Sequence, residues 1–323
     1  MNRREFVTLG MGAAAAAAMR PAVAAGKART LDPRTVVVVS DIHVPLKPAE
    51  QKYKTWDAVE IRDYYWVKDV IQRHVEEILA LDPLPANVIA LGDISIAFAE
   101  DREYAICREL FAPLERAGIR ITHAMGNHDI RANFLKVYPE YATATCVPGK
   151  IVSKVETPDV DFILLDSLKE CLPEQRGHQE YLRTCELGEP QLAWLKAELA
   201  AARKPIIVCA HHKSRALGID ALLAASPKVC GFLFGHHHHF ESNYIFEGYW
   251  PGARVVRSVG VGSFALDGDV GYAVMRTSTD GADLRFVQTG FWFPTYRPLE
   301  KRPALWHEFV RDNNGRTVRF PFA

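Results

Sequence analysis

The stretch Val36-Val37-Val38-Val39-Ser40-Asp41-Ile42-His43 decides how this chain folds. Four consecutive β-branched residues favour a pleated conformation, and an unbroken apolar run of this length reads as a strand buried on both faces. The strand ends in Ser40, and two residues able to hold a cation follow, Asp41 and His43. Reading outward from it, short apolar runs recur at Val88 to Leu91, Ile119 to Thr122, Phe162 to Leu165, Ile206 to Ala210 and Val229 to Phe234. Between them lie helical segments. Asp63 to Leu81 carries Val67, Val70, Ile71, Val75, Ile78 and Leu79 at helical spacing. Arg102 to Arg116 is closed by Gly118, and Gln191 to Ala202 has Pro190 near its start. Beyond residue 240 the pattern turns to strands, at Val255 to Val261, Tyr272 to Met275 and Leu284 to Val287, broken by Gly-rich turns. The expectation is an α/β fold whose first half alternates strand and helix and whose second half is mostly β.

The chain has 12 histidines, and eight fall in four small clusters, each just beyond an expected strand. Ligand sites in α/β folds gather outside the carboxyl ends of the strands. Asp41 and His43 follow the first strand, Gly92-Asp93 the second, and Gly126-Asn127-His128-Asp129 the third. His211-His212 follows the run ending at Ala210, and Gly235-His236-His237-His238-His239 follows Phe234. Carboxylate, amide and imidazole donors from five strand ends make a mixed N/O set suited to Zn, Mn, Fe, Ni or Co.

In order, DxH, GD, GNHD, His and GHxH resemble the motifs of the calcineurin-like metallophosphoesterases, over about Val36 to His238. The resemblance implies a four-layer αββα sandwich, with two mixed sheets face to face and helices outside. The later Gly-rich strands are expected in the second sheet. It implies two divalent or mixed-valence transition metal ions (Mn, Fe or Zn). Asp93 would bridge them, since a bridge needs an anion with two usable oxygens. Asp41, His43 and His238 would complete one site, and Asn127, His211 and His236 the other. Gly92, Gly126 and Gly235 would permit the turns that aim the next side chain. The implied reaction is hydrolysis of a phosphate ester by metal-bound hydroxide, in line with the leaving oxygen. His128 would protonate or stabilise the leaving group, and Asp129 would orient His128 through a hydrogen bond.

Some residues carry two readings. His211 and His212 compete for one ligand position; the family pattern favours His211 and leaves His212 to line the substrate space, with Lys213 beside the phosphate. Proline follows such a histidine pair in many relatives, whereas Lys213-Ser214 follows here. In the histidine run, strand-like alternation would put His236 and His238 on one face, with His237 and His239 turned away. Asp166 reads as structural rather than as a ligand. His74 reads as part of a solvated helix face, and His123 as packed or supporting. His178 and His307 carry no role. Phe240, Tyr244, Tyr249 and Trp250 read either as packing or as an aromatic rim. Cys171 and Cys185 could pair in an oxidising compartment, while Cys209 and Cys230 read as small buried hydrophobes.

The first residues read as an address. Arg3-Arg4 precede an apolar run from Leu9 to Met19, and Ala22-Val23-Ala24-Ala25 closes it with small residues. The segment resembles a Tat-type signal peptide over residues 1–25, which implies the Tat export machinery as a partner and the periplasm as destination. Residues 26–323 are then a single domain, with 291–323 a tail packed on it. Charge balances, with 39 Lys+Arg against 39 Asp+Glu, which argues against a dedicated nucleic-acid binder. No apolar run is long enough for a membrane span, so neither nucleic acid nor membrane is expected as a stable partner. The expected activity is a secreted phosphoesterase acting on small phosphate esters with a modest preference for diesters. The alternatives are a phosphomonoesterase or nucleotidase, a nuclease, and a non-catalytic metal-binding protein.

Overall fold

Strand β1 (Leu31–Val39) sends its valines into two different cores. Val36 and Val38 belong to one apolar cluster and Val37 and Val39 to another, all fully buried. A strand alternates its side chains between faces, so a strand apolar on both must be covered on both. The structure, a computed structural model, describes residues 29–46, 67–96, 99–170, 184–245, 254–266, 268–292 and 313–322. The expected signal segment, His178, His307, Cys171, Tyr249, Trp250 and most of the tail lie outside them. So does the beginning of the first expected helix.

In chain order β1 is followed by α1 (Val67–Ala80), β2 (Leu84–Ala90), α2 (Asp101–Arg116), β3 (Arg120–His123), α3 (Arg131–Val137) and α4 (Tyr141–Ala144). Next come β4 (Ser153–Glu156), β5 (Asp161–Leu164), α5 (Glu189–Ala201), β6 (Ile206–Cys209), α6 (Asp220–Ala225) and β7 (Val229–Phe234). The chain closes with β8 (Glu241–Ile245), β9 (Val256–Gly260), β10 (Gly268–Ser278), β11 (Gly281–Trp292) and β12 (Thr317–Pro321). One sheet has the order β12-β11-β10-β1-β2-β3 and the other β4-β5-β6-β7-β9-β8. Within them β1, β2 and β3 run parallel, as do β5, β6, β7 and β9, and antiparallel strands flank each parallel set.

Three cores make four layers. Between the sheets, Val36, Val38 and Ile89 meet Phe162, Leu164, Ile207, Leu233 and Phe320. Outside the first sheet, Val37, Val39 and Val88 meet Val70, Ile71 and Val75 of α1 and Tyr104 and Phe111 of α2. Outside the second, Ile163, Val208 and Phe232 meet Leu195 and Leu199 of α5 and Leu223 of α6. This is the expected αββα sandwich. One expectation is corrected: β10 to β12 extend the first sheet beside β1, and only β8 and β9 join the second. The pairing of Val36 with Met275 and Val38 with Ala273 gives β1 an apolar neighbour on its otherwise open side. No helix among the described residues is long and apolar enough to cross a membrane.

Local signals agree with the helix ends. Glu100 and Glu103 form a capping box at the start of α2, with Glu100 N donating to Glu103 Oε2 at 2.7 Å. Gly118, at φ +85°, takes the left-handed position past the end of that helix. His74, expected on a solvated face, is instead fully buried. It faces Phe264 and Tyr272, and its Nε2 is 2.6 Å from Thr289 Oγ1.

His123 is packed, among Phe111, Phe134, Tyr138 and Tyr141. Burial, aided by the Arg108 charge, pushes its pKa down to about 3. Its Nδ1 is buried without a hydrogen-bond partner. The folded pKa lies below that of the unfolded chain, so the unfolded state takes up the proton first as pH falls. Stability is therefore lost from about pH 6.5 downward, by about 2 kcal/mol at pH 5. The difference in unfolding free energy between pH 7.5 and pH 5, measured by urea, should shrink by about that amount in His123→Phe relative to the unaltered protein. An equal pH dependence in both would show that His123 does not titrate on unfolding.

Candidate metal centre

Five strand ends converge at one edge of the sandwich, and backbone hydrogen bonds join the loops that leave them. Asp41 N donates to Gly92 O, His43 N to Asp93 O, and Val44 N to Ile94 O, continuing the β1–β2 ladder past the sheet. Gly235 N donates to His211 O in the second sheet, and Phe264 N reaches across to Ser40 O. Strands splay as they leave a twisted sheet, so their loops enclose a space into which side chains can point.

The backbone is strained where the expected ligands sit. Among the described residues, six non-glycine residues have positive φ, and five of them are Asp41, His43, Asp93, His236 and His238, at 50° to 68°. That region costs a residue with a Cβ of order 1–3 kcal/mol, and strain of this kind gathers at functional sites. The expected strand-like alternation of His236 and His238 is therefore corrected: both lie in a loop after β7, aimed by left-handed turns. The glycines divide by role. Gly92, at φ +100°, needs its conformational freedom. Gly126 and Gly235 are needed for space: a Cβ on Gly126 would come within 2.1 Å of Asp93 Oδ1, and one on Gly235 within 1.8 Å of Ser40 Oγ.

The structure brings together all seven expected ligands. Asp41 Oδ1 lies 3.1 Å from His238 Nε2, 3.8 Å from His43 Nε2 and 3.9 Å from His211 Nε2. Asp93 Oδ2 lies 3.1 Å from His211 Nε2 and 3.9 Å from His43 Nε2. Asn127 Oδ1 is 3.1 Å from His211 Nε2. His236 meets His211 at a ring separation of 5.2 Å. Asp93 Oδ1 accepts the His128 backbone N–H at 2.8 Å, so only Oδ2 faces both groups of histidines. A bridge here would use one oxygen, not the two expected.

Two of the histidines are fixed by a bond at their other nitrogen. His43 Nδ1 sits 3.1 Å from Ser95 O, and His211 Nδ1 sits 3.0 Å from Leu91 O. A carbonyl only accepts, so Nδ1 carries the proton and the Nε2 lone pair is turned to the centre. Burial, reinforced by His238, pushes His43 down to about pKa 4. Burial alone would lower His211 too, but the carboxylates of Asp93 and Asp41 outweigh it and raise it to about 9. Burial would raise Asp41 and Asp93, yet the histidines around them hold both well below the usual carboxylate range. The residues thus form a buried anionic pair ringed by imidazoles.

That donor set fits cations. His43 Nε2 and His238 Nε2 face each other at 3.1 Å. With the His43 proton committed to Ser95, a cation beside the two rings and Asp41 Oδ1 would satisfy all three atoms. Asp41, His43 and His238 have donor atoms within 4.8 Å of one another, as do Asp41, Asp93 and His211, and His211, His212 and His236. The amide Nδ2 of Asn127 is buried without a partner while its Oδ1 points at the centre.

The remaining site residues fall out as follows. The His128 ring lies edge-on to His43 at 5.0 Å, with Nδ1 held at 2.8 Å by Ile96 O. The expected hold of Asp129 on His128 is corrected: the Asp129 carboxylate receives backbone N–H groups of Asp93, Ile94, Ser95 and Gly126 and the Tyr104 hydroxyl. Burial, then the charge of Asp93, pushes Asp129 up to about pKa 7. Lys213, expected beside the phosphate, pairs with Glu241 at 2.9 Å and lies over the Phe234 ring. His237 pairs with the same Glu241 and is exposed, as is His239. Asp166 is structural: it is fully buried, forms a 2.6 Å ion pair with Arg131 and accepts N–H groups of Ile151 and Leu168. Phe240 stacks on Phe286 in the core instead of forming a rim. Sequence reasoning missed Ser95, Ile96 and Leu91, whose backbone carbonyls orient the rings. A carbonyl leaves no signature in residue type.

A model of calcineurin-like phosphoesterases matches residues 34–240. No curated protein matches the sequence. Among solved structures, a dimetal phosphatase from Danio rerio is similar at TM-score 0.59 and 13% identity, over 90% of this chain and 100% of that one. A purple acid phosphatase from yellow lupin (Lupinus luteus) is similar at TM-score 0.50 and 14% identity, over 79% of this chain and 51% of that one. At these identities the likeness is one of fold.

Proposed function

This chain belongs to the calcineurin-like phosphoesterase family, hydrolases of phosphoric esters, and from that premise we infer a binuclear metal enzyme acting on small phosphate esters, with a modest preference for diesters. One observation carries the reading: seven donor side chains from five strand ends gather around Asp93 Oδ2 and Asp41 Oδ1, five of them on strained backbone of the kind that collects at functional sites. A purely metal-storing protein would need no GNHD turn holding a further histidine, His128, at the rim.

Asp41, His43 and His238 would hold one ion, Asn127, His211 and His236 the other, and Asp93 both. Bound ions supply charge neutralisation for the phosphoryl group and a nucleophile near neutral pH. The chain does the rest. Asp93 Oδ1 is tied to His128 N, which holds the His128 turn beside the carboxylate that would be shared by the two ions. Ile96 O keeps the His128 Nδ1 proton, so its Nε2 can carry a second proton to the leaving oxygen. The diester preference is supported by charge. A dianionic monoester wants an extra cation, and Lys213 is already neutralised by Glu241.

Hydrolysis of bis-para-nitrophenyl phosphate against para-nitrophenyl phosphate, after chelation and after adding Mn, Zn or Fe, tests the proposal. Metal-dependent turnover favouring the diester is expected. Preference for the monoester would move the reading to a phosphatase or nucleotidase. Turnover indifferent to chelation would overturn the metal assignment. His128→Ala should keep both ions yet slow alkyl diesters by about a hundredfold, and nitrophenyl esters far less, since a good leaving group needs no proton. Loss of metal from that variant would refute the division between ligand and proton donor. We also propose that residues 1–25 direct Tat export to the periplasm. Arg3→Lys with Arg4→Lys should leave the protein in the cytoplasmic fraction, and unchanged periplasmic recovery would rule this route out.

A further inference from the structure

His212 stands beside the second group of ligands, and its surroundings resemble theirs. The rings of His211, His212 and His236 form a triangle, with centroids 4.9 Å, 4.6 Å and 5.2 Å apart. One nitrogen from each lies within 4.8 Å of the others. Consecutive residues of a strand would point to opposite faces, but β6 ends at Cys209. Past that point the chain turns the neighbouring rings of His211 and His212 edge to face at 88° in the same space.

His212 is only 2% exposed. Its Nδ1 lies 2.9 Å from Ser167 Oγ, and its backbone N–H reaches the same oxygen at 3.4 Å. Its Nε2 is buried with no hydrogen-bond partner. A polar atom so placed is costly if nothing ever binds it. As in His43 and His211, Nδ1 meets an oxygen of the scaffold; a hydroxyl can accept as well as donate, so Ser167 can take the Nδ1 proton and leave the Nε2 lone pair for the centre. Ser167 is itself well anchored. The next residue back, Asp166, pairs with Arg131, and Asp166 N donates to Gln191 at 2.8 Å.

We propose that His212 is a ligand, giving the second ion a third imidazole nitrogen beside His211 and His236. The inference rests on the two-ion reading above. It gives the two positions different chemistry. The first has two imidazoles and two carboxylates, and the second has three imidazoles with Asp93 and Asn127. A nitrogen-rich set suits Zn or Co better than Mn.

Cobalt(II) titration of metal-free protein separates this inference from the reading beneath it. Bound ions are counted by equilibrium dialysis, and histidine ring N–H protons are followed by paramagnetic NMR. The unaltered protein should take two ions per chain. His212→Gln should take the first ion unchanged, bind the second at least about tenfold more weakly and lose one shifted ring N–H signal. Ser167→Ala removes only the anchoring hydroxyl, so it should weaken the second ion while keeping the ligand. It also stands in if His212→Gln does not fold. Wild-type Co(II) affinity and spectrum in both variants would overturn the proposal and leave the two-ion reading standing. Unchanged Co(II) binding in His212→Gln with weakened binding of inorganic phosphate would make His212 a substrate contact, and overturn it also. Fewer than two ions in the unaltered protein would sink both.

Discussion

Asp93→Asn should lose metal and activity together, with kcat/KM falling more than about a thousandfold, because the ions contribute several kcal/mol of charge stabilisation and each 1.4 kcal/mol is a factor of ten. The argument rests on Oδ2. This oxygen is 3.1 Å from His211 Nε2 and 3.9 Å from His43 Nε2, so of the two Asp93 oxygens it is the one that faces both halves of the centre. Asn retains the shape and can still accept the His128 N–H with its oxygen. Its amide nitrogen then stands where Oδ2 was, carrying protons and no charge, and cannot bridge cations. Two measurements check this. Bound metal after dialysis should drop, and the rise in melting temperature on adding Mn or Zn, about 2.7 kcal/mol of stabilisation at a hundredfold excess over Kd, should vanish. An Asp93→Asn protein that kept both ions and wild-type turnover would remove the bridge from the mechanism.

Asp129→Ala should be as damaging to the fold as Asp93→Asn is to the chemistry. Asp129 is fully buried. Oδ2 accepts from Asp93 N at 3.0 Å and Gly126 N at 2.9 Å, and Oδ1 accepts from Ile94 N at 3.1 Å, Ser95 N at 3.4 Å and the Tyr104 hydroxyl at 3.2 Å. Truncation strands several buried donors, each costing about 1–3 kcal/mol, and a loss of about 4 kcal/mol is expected after partial relaxation. The same N–H groups shape the loops carrying Asp93 and Asn127, so metal affinity should fall about 10–100-fold. Denaturant unfolding and metal titration of the variant decide between two roles. If Asp129 acted by orienting His128, the variant would behave like His128→Ala: stable, metal-loaded and slow only with poor leaving groups.

The difference between those two outcomes marks where the sequence stops being legible. In the sequence Asp129 is adjacent to His128, and adjacency suggested a hydrogen bond between them. In the structure Ile96 O holds the His128 ring, and Asp129 gathers the backbone of the loop after β2 and of its own turn at Gly126. Lys213 gave the same kind of misreading. It follows His212, but its partner Glu241 comes from β8, a strand too short and too polar to read. Strand β4, with four residues, and helices α3 and α6, with seven and six, were equally silent, because periodicity needs more turns than they possess. His74 was misplaced because charged neighbours along the chain say nothing of Phe264 and Tyr272, which come from the far end of the sequence and cover it.

What the sequence determined by itself is the set of buried strands and the residues standing just beyond them. Four β-branched residues in a row can only be a strand covered on both faces, and a carboxylate or imidazole after such a strand has nowhere to go but the rim of the sheet. That local logic identified the strands and the five clusters of donors beyond them; the four layers and the choice of seven ligands among those donors came with the resemblance to the family. The tertiary structure alone decided how β10, β11 and β12 extend the first sheet, which carbonyls set each imidazole, and that one oxygen of Asp93 faces both groups. It alone brought His212 against His211 and His236. Those are relations between atoms distant in sequence, joined by backbone groups that every residue possesses and no residue type announces.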